Sequence, residues 1–167
     1  MISRPASFTR LRLAFKMVPQ GPFAWGIRVC QPGLPVHCEL VFNGDERHGL
    51  AFSANYRKEF IPGTRFYEGI DFGVPGMWRM VELDPTLASK AFDFCVKEQG
   101  CVYDFLGILV GWTWNRRPSP EKWFCSEVCA AALIYSGMLL KSQQPQWYTP
   151  RRLYLELTTP APVALAE

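Results

Sequence analysis

The chain has 167 residues, of which 49% are hydrophobic, 20% charged and 14% aromatic, and its formal net charge is +3. This composition indicates one globular domain, and its scattered basic residues argue against a nucleic-acid reader. No apolar run approaches the roughly 18 residues of a membrane span, and the first residues lack the apolar core of a signal peptide, so we expect a cytoplasmic protein, with delivery by phage or a secretion system left open.

The first half of the sequence predicts β-strands. Apolar residues alternate with polar ones, or form short runs bounded by proline and glycine, as in half-buried or buried strands. Asn43-Gly44-Asp45 is typical of a hairpin turn. The predicted strands are 8–17, 25–30, 36–42, 49–53 and 79–83.

The second half predicts helices. Two of them start at a residue that can cap the first turn followed by a proline, at Asp84-Pro85 and at Thr149-Pro150. The third covers 124–135 and ends before Gly137. With no linker or repeat in the sequence, we expect a single domain over 1–159 and a loose tail over 160–167.

Cys125 is the candidate nucleophile among six cysteines, whose spacing is unlike that of a disulfide scaffold. It stands where a loop with two prolines meets the predicted helix over 124–135. Unpaired amides and the dipole at a helix start can lower the pKa of a thiol and bind the oxyanion of an attacked carbonyl. By its position alone, however, a buried thiol without a role is an equally good interpretation.

His37 is the candidate partner of Cys125, and it is one of only two histidines. In a strand over 36–42, Cys38, Leu40 and Phe42 would face the core, and His37 and Glu39 would face the other way. An imidazole on a strand beside a helix start is what thiol activation requires. A strand histidine with no role is the alternative.

The order of these segments resembles the circularly permuted branch of the NlpC-like papain-fold superfamily, which includes the YiiX-like proteins. The matching pieces are H-C-E-L at 37–40, G-C-V-Y-D-F at 100–105 and F-C-S-E-V-C-A-A-A-L at 124–133. The resemblance implies a papain-like α+β fold, with an antiparallel sheet packed against helices and the nucleophile at a helix N-terminus. It implies Cys125 as nucleophile and His37 as general base.

The same resemblance places Tyr103 near the nucleophile, where its hydroxyl would position substrate or assist the oxyanion. We assign Ser126, the second residue of the C-S-E motif, to the same role. A tyrosine packed in the core is the alternative interpretation of Tyr103.

The third catalytic residue, which would orient the imidazole, has two candidates. Glu39 shares a face with His37 but lies two residues along, roughly 6.5 Å away by strand rise. In the following strand, a four-residue loop at 43–46 would put Phe52 opposite His37, whereas one more residue or a bulge would put Ser53 there. Both Glu39 and Ser53 therefore stay candidates.

These residues predict a cysteine-dependent hydrolase: an amidase or cysteine peptidase, or an acyl-ester or thioester hydrolase or transferase. The alternative is a catalytically weak or inactive papain-fold binding module, which the uncertain third residue favours. We expect a small-molecule, peptide or lipid-like acyl substrate and no nucleic-acid partner. Trp112, Trp114 and Trp123 favour an apolar groove, with core packing as the alternative.

We expect no cofactor and no metal. Cys125 and Cys129 are one helical turn apart, and His37 and Cys38 could add ligands. Adjacent residues of a strand point to opposite faces, however, and the sequence contains no C-x-x-C pair. A zinc site is therefore the weaker interpretation.

Overall fold

The computed structural model describes residues 3–30, 35–55, 62–104 and 122–159, and within these ranges it contains seven β-strands and four α-helices. The strands are β1 (Leu11–Lys16), β2 (His37–Phe42), β3 (Leu50–Asn55), β4 (Gly63–Tyr67), β5 (Trp78–Leu83), β6 (Val102–Tyr103) and β7 (Lys122–Trp123). The helices are α1 (Gly21–Cys30), α2 (Ala88–Lys97), α3 (Cys125–Ser136) and α4 (Pro150–Thr158). The expectation of an α+β protein is confirmed.

The strands form one sheet in the order β5-β1-β2-β3-β4-β6-β7. Every neighbouring pair is antiparallel except β6 and β7, which run parallel. β2, the strand that begins with His37, lies between β1 and β3 and is therefore paired on both sides. The imidazole is held by a strand whose backbone cannot shift without breaking two ladders.

The main core lies between one face of the sheet and helices α2 and α3. Cys38, Leu40 and Phe42 are fully buried there, as the alternation in the sequence predicts. A smaller apolar cluster, which includes Val41 and Phe72, covers part of the opposite face. Because both faces are covered, β1 is buried from Leu11 to Phe15 instead of half-buried.

The segment 25–30 is part of helix α1, so the prediction of a strand there is wrong. The helix begins at Gly21, and Pro22 occupies its first turn, where the missing N–H of proline would have no partner inside the helix. A short apolar run does not distinguish a strand from a helix by its periodicity. Gly21 and Pro22 are typical of a turn between elements, so the sequence pattern did not indicate a helix that begins there.

Helix α3 carries Cys125 as its first residue and confirms the predicted helix. Ten of its twelve residues are buried, so it packs on nearly all sides. The Glu127 carboxylate accepts the N–H of Phe124 at 3.3 Å, which satisfies one donor at the helix start. At the other end, Gly137 has φ +104°, a left-handed value that glycine adopts without strain.

Helices α2 and α4 are also confirmed; Thr149 directly precedes α4, whereas Asp84 caps a short 3-10 turn, Pro85–Leu87, that leads into α2. The Asp84 side chain accepts the N–H of Thr86, and that of Thr149 accepts the N–H of Arg152. None of the helices among the described residues has the length and apolar character needed to cross a membrane. The tail predicted over 160–167 lies outside the described residues.

Candidate active site

The packing of β2 against α3 brings together two segments that are far apart in sequence. Cys38 faces α3, and the Sγ of Cys129 lies 3.8 Å from the Cys38 carbonyl oxygen. Cys125 stands one helical turn before Cys129, at the helix start. His37, at the first position of β2, therefore lies beside the first residue of α3.

The side chains of His37 and Cys125 interact by charge and by a hydrogen bond. Burial disfavours the thiolate, but the Cys38 thiol, the charge and hydrogen bond of His37 and the Cys38 N–H together lower the pKa of Cys125 to about 5. Burial also disfavours the imidazolium, yet Cys125 and then Glu39 raise the pKa of His37 to about 10. Each group therefore favours the charged form of the other, the thiolate of Cys125 and the imidazolium of His37.

Glu39 completes a line of three interacting side chains. Its Oε1 lies 3.0 Å from Nε2 of His37, which donates the hydrogen bond when the imidazole is protonated. The carboxylate is only 1% exposed, so water does not screen its charge from the imidazole. Its Oε2 has no hydrogen-bond partner in the described part of the chain. The side-chain atoms of His37 and Glu39 are therefore closer together than the roughly 6.5 Å that strand rise gives for residues two positions apart.

Ser53 does not reach the imidazole. Its hydroxyl is buried and donates to the carbonyl oxygen of Cys38 at 2.8 Å. The register pairs Leu40 with Phe52, so neither of the two predicted registers, with Phe52 or with Ser53 opposite His37, is correct. Of the two candidates for the third residue, only Glu39 contacts the imidazole.

The register differs because the connection between β2 and β3 spans 43–49, longer than either predicted loop. Asn43 and Gly44 do have the positive φ values of a hairpin turn, 54° and 81°. The chain then continues around the buried guanidinium of Arg12, which donates to the carbonyl oxygens of Asn43, Asp45 and His48 at 2.6–3.0 Å. These bonds stabilise the wider loop.

Tyr103 and Ser126 are both buried. Ser126 directly follows Cys125 in the sequence, and Tyr103 packs against Phe124, the residue before Cys125. The Tyr103 ring packs edge-on against Phe124, with 6.1 Å between ring centroids. The Ser126 hydroxyl donates to the Tyr148 carbonyl oxygen at 2.6 Å, so it points into the core. If Ser126 contacts the substrate or the oxyanion, it would therefore do so through its backbone and not through its hydroxyl.

Cys38, which the sequence places in the core or in the weaker zinc interpretation, is a further functional candidate. Its thiol hydrogen-bonds to the Cys125 sulfur, and burial together with Cys125 and Cys129 raises its pKa well above the usual value. It therefore stays protonated and donates to the thiolate. The signal in the sequence was its place next to His37, on the face of the strand that meets the helices.

The Cys125 side chain has no exposed surface, whereas 16% of the His37 side chain is exposed. A cavity of about 820 Å³ lies at the far end of β2, beside Phe42 and the 43–49 loop, and does not include either residue. Trp123 donates to Glu98 at 3.0 Å. The other two tryptophans of the predicted groove, Trp112 and Trp114, lie outside the described residues.

Within the described ranges, no group of three or more His, Cys, Asp or Glu side chains could hold a metal ion. In comparisons with protein-family models, curated proteins and solved structures, none matches this chain. The arrangement of Cys125, His37 and Glu39 is therefore the feature of this chain that indicates a function.

Proposed function

We propose that this protein is a cysteine-dependent hydrolase or acyl transferase with a circularly permuted papain-like arrangement. In this proposal Cys125 is the nucleophile, His37 exchanges protons with the substrate, and Glu39 orients the imidazole. The observation that carries it is the buried Cys125–His37 pair, in which each side chain shifts the pKa of the other towards its charged form. Such opposed shifts at one place are typical of catalytic pairs.

The chemistry follows from the charges of the pair. The Cys125 thiolate attacks a carbonyl carbon of an amide, ester or thioester, and the His37 imidazolium gives its proton to the leaving group. The neutral imidazole then removes a proton from water or from an acceptor, which releases the acyl group. Glu39 holds the ring through Nε2 and stabilises its positive charge, as a third triad member does.

The position of Cys125 at the start of α3 supports the same reaction. The first amides of a helix have no partner inside it and can donate to an oxyanion. Tyr103 and the backbone of Ser126 are the nearby candidates for substrate or oxyanion contacts. The order of the strand with His37 before the helix with Cys125, on a largely antiparallel sheet, supports the permuted papain-like interpretation.

A catalytically weak or inactive binding module is the second candidate function, and the full burial of Cys125 favours it. A nucleophile without exposed surface reacts only when neighbouring groups move. A peptide or lipid-like acyl group is the proposed substrate for the enzyme, whereas a binding module would hold its ligand without acylation of Cys125. Detection of an acyl-enzyme separates the two candidates.

The test is the reaction of the full chain with p-nitrophenyl acetate, followed by release of nitrophenol and by mass mapping of the acetyl group. We expect a burst of nitrophenol and an acetyl adduct on Cys125, and loss of both in Cys125→Ala and His37→Ala. The double variant should react no more slowly than either single one, because the two residues act as a unit. Cys101→Ala, which removes a thiol that is not fully buried, is the control and should keep the burst.

Acetylation that appears at Cys101 and not at Cys125, or a burst that survives His37→Ala unchanged, would overturn the enzyme proposal. The binding-module interpretation would then replace it.

A further inference from the structure

Three fully buried thiols meet where β2 packs against α3. Cys38, Cys125 and Cys129 are each 0% exposed and carry no disulfide. The Cys38 thiol interacts with the thiols of both Cys125 and Cys129, and the Cys129 sulfur also lies 3.8 Å from the Cys38 carbonyl oxygen. In the proposed acyl transfer Cys125 is the nucleophile, and the neighbouring Cys38 thiol only donates a hydrogen bond to it.

Helix and strand geometry decides which of these thiols could bond to Cys125. Cys129 lies four residues later in the same helix, where Cβ atoms are about 5–6 Å apart and their Cα–Cβ bonds point the same way. A disulfide requires Cβ atoms about 3.5–4.5 Å apart. Cys38 comes from the facing strand that packs against the start of α3, and its thiol is a hydrogen-bond partner of the Cys125 thiol.

We propose that Cys125 and Cys38 form a reversible oxidation site, in which a hydroperoxide oxidises Cys125 and Cys38 then closes a disulfide with it. This modification rests on the same Cys125 thiolate as the proposed function, but it requires no acyl substrate. Because Cys125 has no exposed surface, a small oxidant such as hydrogen peroxide is the one that fits.

The chemistry balances in two steps. The Cys125 thiolate attacks one oxygen of the peroxide, which forms Cys125 sulfenic acid, breaks the O–O bond and leaves hydroxide that takes the proton of His37. The Cys38 sulfur then attacks the sulfenic sulfur, so that the S–S bond forms and the S–O bond breaks. Hydroxide leaves with the Cys38 proton as water, and the peroxide has accepted two electrons from the two sulfurs.

The expected consequence is a reversible block of the nucleophile. In the disulfide, Cys125 can neither attack a carbonyl nor proceed to sulfinic acid, which thiol reductants do not reverse. Addition of dithiothreitol should restore both thiols.

The test exposes the full chain to increasing hydrogen peroxide, blocks the remaining thiols under denaturing conditions and maps the peptides by mass. In the wild type we expect a peptide that joins Cys38 to Cys125 and disappears on reduction. Cys129→Ala is the matched control, a second buried thiol, and should give the same joined peptide. In Cys38→Ala we expect Cys125 to accumulate as sulfinic acid that dithiothreitol does not recover.

The wild-type map alone decides the proposal, so it does not depend on the folding of any variant. Cys125 found as sulfinic acid beside a free Cys38, joined to Cys129, or still reduced after Cys101 is oxidised would each overturn it. The outcome is separate from the proposed function, because a chain that forms the disulfide but acylates no ester keeps this site and loses the hydrolase.

Discussion

Replacement of His37 by glutamine tests whether the imidazole stabilises the Cys125 thiolate. His37→Gln keeps a polar side chain at the first position of β2 but cannot carry a positive charge. Burial, the largest influence on Cys125, would then oppose the thiolate with only the Cys38 contacts against it. The pKa of Cys125 should therefore rise from about 5 towards its ordinary value of 9.0.

The size of the effect follows from these two pKa values. A difference of about 4 units corresponds to about 5 kcal/mol between the protonated and ionised thiol, shared among all the groups that contact it. At pH 7 a thiol with a pKa of about 5 is about 99% ionised, and one with a pKa of 9.0 is about 1% ionised. A complete return to 9.0 would correspond to roughly a hundredfold less thiolate at neutral pH, and the part that His37 contributes is what the variant should lose.

The assay is the thiolate absorbance at 240 nm between pH 4 and 10, with the Cys125→Ser spectrum subtracted to remove the other cysteines. The wild type should show a step near pH 5, and His37→Gln should show it several units higher. A thermal melt of each variant checks that the fold is retained.

Two results would contradict this expectation: titration of both proteins at the same pH, or a wild type without a step near pH 5 that depends on Cys125. In either case the imidazole does not stabilise a thiolate, and the catalytic roles of both residues fall with it.

Glu39→Gln removes a buried charge at nearly constant volume, so the pKa of His37 should fall from about 10, as followed by NMR titration of the imidazole, and turnover should fall with it. Ser53→Ala should cost about 1 kcal/mol in denaturant unfolding, because it removes the hydrogen bond to the Cys38 carbonyl, and should leave turnover nearly unchanged; a loss as large as that of Glu39→Gln would show that Ser53 acts on the imidazole. The raised pKa of His37 stabilises the fold fully below pH 6.5, and this stabilisation is lost as the pH rises towards about 10. The lowered pKa of Cys125 stabilises the fold fully above pH 9.0, and this stabilisation is lost as the pH falls towards about 5. Between about pH 6.5 and 9.0 the two changes cancel, so the free energy of unfolding should be flat there. Denaturant unfolding should show stability falling on both flanks, and a variant with Cys125→Ser and His37→Gln should lose both flanks.

The sequence by itself determined the elements whose signals are local. The alternation in 36–42 predicts the burial of Cys38, Leu40 and Phe42, although Glu39 and Val41 are buried as well. Helix-start residues such as Thr149 and the glycine at 137 mark ends that the structure reproduces. These signals depend on backbone dihedrals and on one turn of chain, so they need no distant partner. Strands β4, β6 and β7 were not predicted; β6 and β7 have two residues each and exist only through pairing.

The sequence also singled out Cys125, His37 and Glu39 as candidate site residues, but it left Glu39 and Ser53 equal. Tertiary structure separated them. The buried Arg12 guanidinium stabilises a loop over 43–49 that is wider than the hairpin signal predicts, and the resulting register turns Ser53 towards a backbone carbonyl.

Only the tertiary structure placed the two ends of the candidate site together and set their charges. A charge pair depends on the atoms around it, and 88 positions of chain separate His37 from Cys125. Packing of α3 on β2 brings the imidazole and Cys38 to the thiol and buries both thiols completely and most of the imidazole. Each interaction is therefore stronger than it would be in solvent. No local sequence pattern predicts the surroundings of the thiol, because they are formed by a strand and a helix in different halves of the chain.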